Sequence, residues 1–456
     1  MRTPGVEDEY GGRVAGPRLF SSIVHASLVA ALVAAAIAVG ACRQAPKDPV
    51  TLTFLDPEWS HDSRERDAAY EQVLLDFTKE TGIRVTHLPA PENSPAQLAL
   101  SQDLLKKSAA TPDVYGIDVV WPGILSDYLI DLNPYFETEV KADDSEMIAN
   151  FTVKGKLVAM PYHSNVGVLF YRADLLDKYG FKEPPRTWDD LEKMAERIQD
   201  GERSRGQKDF WGYAWPGAAT EGLMCNAMEW QVSQGGGHII ESDGTISVNN
   251  PRTIAAWNRA AHWMGRISSP TALSYQEWDS TNAFVTSGKA AFQRGWESDY
   301  FISNPVPYVV GKQSGVTSVP GGEDGRTGTF GGLGLAVSKT SQHQAEAIAL
   351  VRFLLRQEAE LEHQRAISEP PTFPARFELP TILTAYQHLQ VTGGKPGAHA
   401  VARPSTVTGE KYEEVSRTYV ESLHAVLEGK VNAETAVAAL EKQLEQITGF
   451  GATKPQ

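Results

Sequence analysis

Tryptophan residues beside acids, glycine and proline are the most distinctive chemical feature of this sequence. The chain has ten tryptophans, and the segments VVWPG, FWGYAWPG, AMEWQ, YQEWDS and FQRGWES contain most of them. An aromatic ring packs on the apolar C–H face of a sugar ring, while carboxylate, amide or guanidinium groups hydrogen-bond its hydroxyls. These segments predict a site for a sugar-like solute. Each tryptophan taken singly also fits a hydrophobic core, and each acid also fits a structural salt bridge, so both alternatives stay open.

Signatures of nucleotide, metal and nucleophilic chemistry are missing from the sequence. It contains no G-x-x-x-x-G-K-[ST], no H-E-x-x-H and no G-x-S-x-G. GGLGLAVS lacks the third glycine of a dinucleotide fingerprint, and the eleven histidines have no ligand spacing. We therefore expect no metal, no cofactor and no catalytic residue. The formal net charge of −15 disfavours nucleic acid and anionic membrane surfaces as partners.

The N-terminal segment has the pattern of a secretory signal. Arg13 and Arg18 precede an apolar run that begins near Ile23 and ends in Val39-Gly40-Ala41-Cys42. The last four residues resemble a bacterial lipobox, in which the cysteine is lipidated and becomes the first residue of the mature chain. We predict a signal peptide over residues 1–41, a lipid anchor on Cys42 and a tether over residues 42–49. A single membrane-spanning signal anchor is the alternative, since about 20 apolar residues can span a bilayer.

The elements that must position the site alternate between strands and helices. VTLTFLDP alternates apolar and polar residues like a strand, and Tyr70, Val73, Leu74 and Phe77 follow with helical spacing. This order continues along the chain and favours an α/β fold with parallel sheets. The mature chain exceeds the roughly 250–300 residues at which single cores stop growing, so we expect two lobes. Further strands are predicted in IRVTHL, PDVYGIDVVW, KLVAMPY and VGVLFY, and further helices at 173–179, 187–198, 221–234, 252–267, 341–357, 419–427 and 433–447.

Several long segments carry a resemblance to a known family. These segments are PDVYGIDVVWPG, VGVLFYRADLLDKYGFKEPPRTWDDL, FWGYAWPG, EGLMCNAMEWQVSQGGG, SGKAAFQRGWE, FGGLGLAVSKTS and VARPS. In this order they resemble the family 1 extracellular solute-binding proteins of sugar ABC importers, most closely the trehalose/maltose-binding branch. The resemblance implies a type II periplasmic-binding-protein fold, with two lobes that are each a mainly parallel sheet flanked by helices. The chain would cross a multi-strand hinge near 162–165, 326–330 and 373–376. The N-lobe would comprise 50–162 plus 329–372, and the C-lobe 163–328 plus 373–456.

The same resemblance implies which side chains contact the sugar. Trp296 would be a stacking platform, Gly332 would offer a backbone contact, and the rigid fork of Arg403 would donate to hydroxyls. Some relatives have tryptophan where this chain has Leu333, which removes a second stacking surface. Glu58, near the end of the first strand, is a further candidate contact. The predicted substrate-binding residues are Asp118, His163, Asn165, Glu229, Trp296, Gly332, Arg403 and Glu58.

The resemblance predicts an exported, monomeric lipoprotein. This protein would capture a glucose-containing disaccharide of the trehalose or maltose type and deliver it to an ABC permease with its cytoplasmic ATPase. The resemblance predicts no enzymatic activity. One alternative is an anchored carbohydrate-active enzyme, which needs two carboxylates about 5–10 Å apart at the scissile bond. Another is a binding protein for a polyamine, a peptide or iron. The sequence leaves open which sugar is bound, whether trehalose, maltose, sucrose or a longer glucan. It also predicts that Cys225 is a buried structural thiol.

Overall fold

The structure is a computed structural model that describes residues 49–57, 64–91, 94–107, 112–299, 314–322, 325–367, 372–373, 375 and 400–453. The predicted signal peptide, Cys42 and Glu58 lie outside the described residues. So does part of the predicted third hinge crossing.

The described strands build one large sheet and one short hairpin. The strands are β1 (Thr51–Asp56), β2 (Arg84–Pro89), β3 (Val114–Asp118), β4 (Thr152–Val153), β5 (Lys156–Leu157), β6 (Met160–Arg172), β7 (Trp211–Ala214), β8 (Ala290–Trp296), β9 (Ser314–Ser318), β10 (Gly328–Val337) and β11 (Ala400–Val401).

Helices flank the sheet along the whole described chain. The α-helices are α1 (Arg64–Thr81), α2 (Ser94–Lys106), α3 (Pro122–Leu125), α4 (Glu137–Ala142), α5 (Ser145–Asn150), α6 (Ala173–Tyr179), α7 (Trp188–Ser204), α8 (Glu221–Ser233), α9 (Pro251–Trp263), α10 (Glu277–Thr281), α11 (Gln344–Leu354), α12 (Gln357–Ile367), α13 (Ser405–Thr408), α14 (Tyr412–Leu427) and α15 (Ala433–Thr448). A π-helical turn, Asn282–Thr286, follows α10 directly.

The central strands of the sheet join its two halves. The order is β2-β1-β3-β10-β6-β8-β7, with β11 beside β10 and β9 beside β6. Strand β1 pairs in parallel with β2 and β3, and β7 pairs in parallel with β8. Strand β6 pairs antiparallel with β10 along its first half and with β8 along its second half. Because β6 is continuous, the two halves of the sheet share one backbone ribbon at the middle.

The buried apolar side chains form two large clusters, one on each half of the sheet. The first surrounds β1, β3 and α1 and includes Phe54 and Phe77, whereas the second surrounds α7, α8, α9, α14 and α15. Strand β6 passes from the first cluster at Val166 to the second at Leu169. The molecule is therefore a two-lobed α/β protein, and the exact lobe boundaries given above stay a prediction.

Most of the tryptophans belong to the hydrophobic cores, which is the alternative to ligand contact that the sequence left open. Trp230 packs edge-on against Trp215, with ring centroids 5.1 Å apart, and against Trp263 at 5.3 Å. Such edge-to-face pairs add to the free energy gained by burying the rings. The tryptophans that are almost fully buried are Trp121, Trp188, Trp215, Trp230, Trp257 and Trp263.

Local sequence signals set several element boundaries. Helix α7 begins at a capping box, in which the Asp190 amide donates to Thr187 Oγ1 (3.1 Å) and the Thr187 amide donates to the Asp190 carboxylate (3.2 Å). Two predicted boundaries were wrong. KLVAMPY begins with β5 and its last three residues join VGVLFY in the single strand β6. The predicted helix over 341–357 is replaced by α11 and the start of α12.

Candidate ligand-binding site

A cavity of about 360 Å³ lies where the central strands pass between the two clusters. Six of the eight predicted contact residues line it: Asp118, His163, Asn165, Trp296, Gly332 and Arg403. The other lining residues are Pro57, Ser94, Gln97, Val120, Glu221, Cys225, Glu277, Gly331 and Leu333.

Strand ends and the two central strands position these groups. Asp118 is the last residue of β3 and lies opposite Leu333 of β10. His163 and Asn165 come from β6, directly opposite Leu333 and Gly331 of the same neighbouring strand. The Asn165 amide donates to Ser298 Oγ at 2.9 Å. The polar face of β6 therefore meets the cavity at the point where this strand changes lobes.

Gly332 is held in a conformation that other residues rarely adopt. Its φ is +115°, and a Cβ placed there would lie 2.3 Å from the His163 carbonyl oxygen. The absence of a side chain allows β10 and β6 to approach closely beside the cavity.

Trp296 ends β8 at the cavity, and its indole is fixed on several sides. Its ring N–H donates to Glu277 Oε1 at 2.9 Å, and its backbone N–H donates to Asp299 Oδ2 at 2.9 Å. The Arg294 guanidinium carbon lies 4.1 Å from the centre of the ring. The indole N–H is already paired, so the ring can offer a ligand mainly its apolar surface.

Arg403 is buried beside the cavity and is held by contacts to α8 and β10. Its guanidinium donates to Glu221 Oε2 (2.9 Å) and to the Phe330 carbonyl oxygen (3.1 Å), and it lies 4.0 Å from Asp118 Oδ1. Glu221 also accepts from Tyr412 (2.7 Å) and from Ser416. Arg403 Nε is buried and has no hydrogen-bond partner among the described residues.

Glu229 is not brought to the cavity, in contrast to the prediction. Its carboxylate is fully buried and forms an ion pair with Arg294, at 2.6 Å between Oε1 and Nη2. Two other acids line the cavity instead: Glu221, at the start of α8, and Glu277, at the start of α10. Glu277 stands beside Trp278 in YQEWDS, but Glu229 stands beside Trp230 in AMEWQ in the same way. An acid next to a tryptophan therefore does not by itself identify a cavity acid, and Glu221 lacks even this signal. Glu58 lies outside the described residues.

The cavity carries more negative than positive groups. Three carboxylates, of Asp118, Glu221 and Glu277, face one guanidinium, of Arg403. Burial raises the pKa of Asp118 above its ordinary value, and the nearby Arg403 counteracts part of this rise. Excess carboxylate disfavours an anionic ligand, and hydrogen-bond acceptors with one rigid donor fork suit a neutral polyol.

Cys225 belongs to the cavity wall but is almost inaccessible. It is a free thiol with 1 % of its surface exposed, and burial raises its pKa to about 12. Within the described part of the chain, no group of His, Cys, Asp and Glu is arranged to hold a metal ion. The same residues include no helix long and apolar enough to cross a membrane.

Comparison with known proteins adds a family and a set of structural relatives. The family described as bacterial extracellular solute-binding protein matches residues 61–361. A "probable ABC transporter-binding protein" of Deinococcus radiodurans is 39% identical over 385 residues, which cover 82% of this chain and 89% of the relative. Maltose-bound MalE3 of T. maritima has a TM-score of 0.75 and 27% identity, covering 87% of this chain and all of that chain. A solute-binding protein of Thermotoga lettingae bound with α-D-tagatose has a TM-score of 0.73 at 20% identity, covering 88% of this chain and all of that chain, and shows a shared fold alone.

Proposed function

Since this chain belongs to the bacterial extracellular solute-binding proteins, we propose that it captures a neutral sugar in the cavity and delivers it to the permease of an ABC importer. The two-lobed periplasmic-binding-protein fold that the sequence predicted is confirmed by the structural relatives. The family acts by binding and not by catalysis.

The Trp296 platform is the observation that carries the proposal. A fixed indole borders a cavity that also holds a buried guanidinium donor and several carboxylate acceptors. A sugar ring needs this combination, because its C–H face is apolar while its rim is made of hydroxyls. A protonated polyamine has only N–H donors, so it would give the Arg403 guanidinium no acceptor.

We further propose a glucose-containing disaccharide of the trehalose or maltose type as the ligand. The cavity volume of about 360 Å³ lies at the lower end of the range for small-molecule sites, about 300–1,000 Å³. The T. maritima relative was solved with maltose. Leu333 at the cavity wall supplies apolar surface but no ring, so Trp296 is the stacking surface on which the choice of sugar depends.

Delivery to a permease requires that the protein stay close to the membrane. The lipobox-like ending at Cys42 supports attachment to the outer side of a bacterial membrane through acyl chains, since two or more chains anchor stably. The segment 42–49 would then tether a monomeric two-lobed body close to its permease.

A panel of sugars tests the binding proposal. Thermal melting is measured in sugar-free buffer and with trehalose, maltose, sucrose or maltotriose. The melting temperature should rise with the true ligand, because a ligand that binds only the folded state stabilises it. Calorimetry with that sugar should show weaker binding by roughly 5- to 150-fold for Asp118→Asn, because a sugar hydroxyl then loses its charged acceptor in a closed site.

Two further variants complete the test. Trp296→Ala should weaken binding, whereas Trp278→Ala, which removes a tryptophan that is 58% exposed and does not line the cavity, should leave it unchanged. No stabilisation by any sugar, or equal effects of the two tryptophan variants, would contradict the proposal. Incubating the protein with maltose and trehalose and measuring glucose tests the enzymatic alternative, which predicts glucose release.

A further inference from the structure

A fully buried ion pair lies directly behind the cavity. Arg294 Nη2 donates to Glu229 Oε1 at 2.6 Å, and Arg294 Nε lies 3.2 and 3.1 Å from the two carboxylate oxygens. Both side chains are 0 % exposed. Burial by itself lowers the pKa of Arg294, but the charge of Glu229 more than reverses this effect, so the guanidinium stays charged.

The pair is fixed by three separate elements. Glu229 comes from α8 and Arg294 from β8, and the backbone N–H of Thr329 at the start of β10 donates to Glu229 Oε1 at 3.1 Å. On the remaining side is Gly167 of β6, where a Cβ would lie 2.0 Å from Glu229 Oε1. The guanidinium plane therefore has little freedom to move.

Arg294 supports the indole of Trp296 from behind. The guanidinium carbon is 4.1 Å from the ring centre, within the range of a favourable cation–π contact. The Gly331 backbone lies beside the benzo edge of the ring, close enough that an added Cβ would be 3.0 Å from Trp296 Cζ3. With the indole N–H bound to Glu277, the ring is held on one face and at two edges.

We propose that Glu229 and Arg294 are positioning residues, which act through Trp296 to hold the stacking platform ready before the ligand arrives. This inference rests on the proposed sugar binding. It gives Glu229 a role in ligand recognition without any contact to the ligand. A platform that is already ordered avoids the entropy lost when a free side chain is immobilised on binding, about 0.5–1.5 kcal/mol per side chain.

The double variant Glu229→Gln/Arg294→Met tests the proposal without leaving a buried charge unpaired. Removing one partner of a buried pair is strongly destabilising, whereas neutralising both partners is often tolerated. Arg294→Lys is the second variant, because it keeps the ion pair and loses the planar fork. Arg203→Met is the matched control: Arg203 lies 4.3 Å over the ring of Trp211, and neither residue lines the ligand cavity.

The environment of the Trp296 ring in the ligand-free protein is the readout that separates a positioning role from a purely structural one. Protein labelled with 5-fluorotryptophan is followed by ¹⁹F NMR, with the Trp296 signal assigned by Trp296→Phe. We expect the double variant to shift or broaden the Trp296 signal selectively and to weaken sugar binding by about 2- to 13-fold. Arg294→Lys should change the same signal, and Arg203→Met should change the Trp211 signal alone and leave sugar affinity unchanged.

An unchanged Trp296 signal together with unchanged sugar affinity in both pair variants would overturn the proposal. Should the double variant fail to fold, Arg294→Lys alone decides between these outcomes. Failure of the proposed function looks different, because the wild-type protein would then bind no sugar while the ¹⁹F signal of Trp296 still responded to the pair variants.

Discussion

Replacing Glu297 with glutamine should flatten the dependence of stability on pH between about pH 5 and pH 8. Glu297 follows Trp296, is 2 % exposed, and its Oε2 has no hydrogen-bond partner among the described residues. Burial raises the pKa of its carboxyl group to about 8, with a smaller opposing effect of the Val166 backbone. At neutral pH the folded protein therefore holds this side chain mainly as the neutral acid.

The sign of the effect follows from the raised pKa. Between pH 4.5, the ordinary pKa of the group, and about pH 8, the folded state keeps the proton and the unfolded state releases it. Raising the pH thus favours unfolding, so the stabilisation is present in full below the ordinary pKa and is lost as the pH rises through the folded pKa. One proton corresponds to a slope of about 1.4 kcal/mol per pH unit, or about 3 kcal/mol between pH 5 and pH 7.5.

Glutamine has the shape of the protonated acid and does not titrate, so Glu297→Gln should remove this slope. Urea unfolding at several pH values measures the free energy of unfolding of the wild type and the variant, and the difference between them should change by about 3 kcal/mol over that range. Glu71→Gln, at an exposed position on α1, is the control and should give a constant difference. A constant difference for Glu297→Gln as well would refute the reasoning, because the carboxylate would then be charged in the folded protein.

Other predictions concern the hinge, the thiol, the anchor and closure. Gly332→Ala should lower the free energy of unfolding, measured by urea titration, by about 1–3 kcal/mol, because its Cβ would collide with the His163 carbonyl. Gly451→Ala is the control, since no atom lies within 4 Å of a Cβ added there. Cys225 in native protein should react slowly with a maleimide and quickly in urea, and rapid native labelling would contradict its burial. Cys42→Ser should leave the body folded and able to bind sugar but release it from membranes, so a variant that stays in the membrane fraction after a high-salt wash would disprove lipid anchoring. Saturating sugar should reduce the radius of gyration in small-angle scattering, as hinge closure requires, and an unchanged radius would indicate a rigid site.

Local sequence signals predicted the elements whose partners lie nearby in the chain. The capping box of Thr187 and Asp190 and the helix Ala173–Tyr179 are examples, because each depends on residues within a few positions. Strand β6 was predicted as two strands, since polar residues interrupt its apolar run at His163–Asn165. In the structure His163 and Asn165 line the cavity, while pairing with β10 keeps the strand continuous. That pairing joins distant segments and has no local signal.

Which acids line the cavity also depends on contacts between distant segments, which have no local signal in the sequence. Glu221 and Glu229 lie on one helix, and which of them meets the cavity depends on arginines from other segments. Arg403 is 182 residues from Glu221, and Arg294 is 65 residues from Glu229. The family resemblance predicted that Arg403 and Trp296 contact the ligand, and both line the cavity. It could not show that Glu229 is buried in an ion pair with Arg294 instead.

The buried pair of Glu229 and Arg294 also restricts how this protein can evolve. A single substitution of either partner leaves a charge without its counter-charge in a dry interior, at a cost of about 3–5 kcal/mol, which is a large share of the total stability of a typical protein. Replacement of both can be neutral, so the two positions are expected to change together or not at all. Mutational routes to a new solute preference should therefore begin at Leu333, which lines the cavity and contributes no contact to this buried pair, and leave the support of the indole in place.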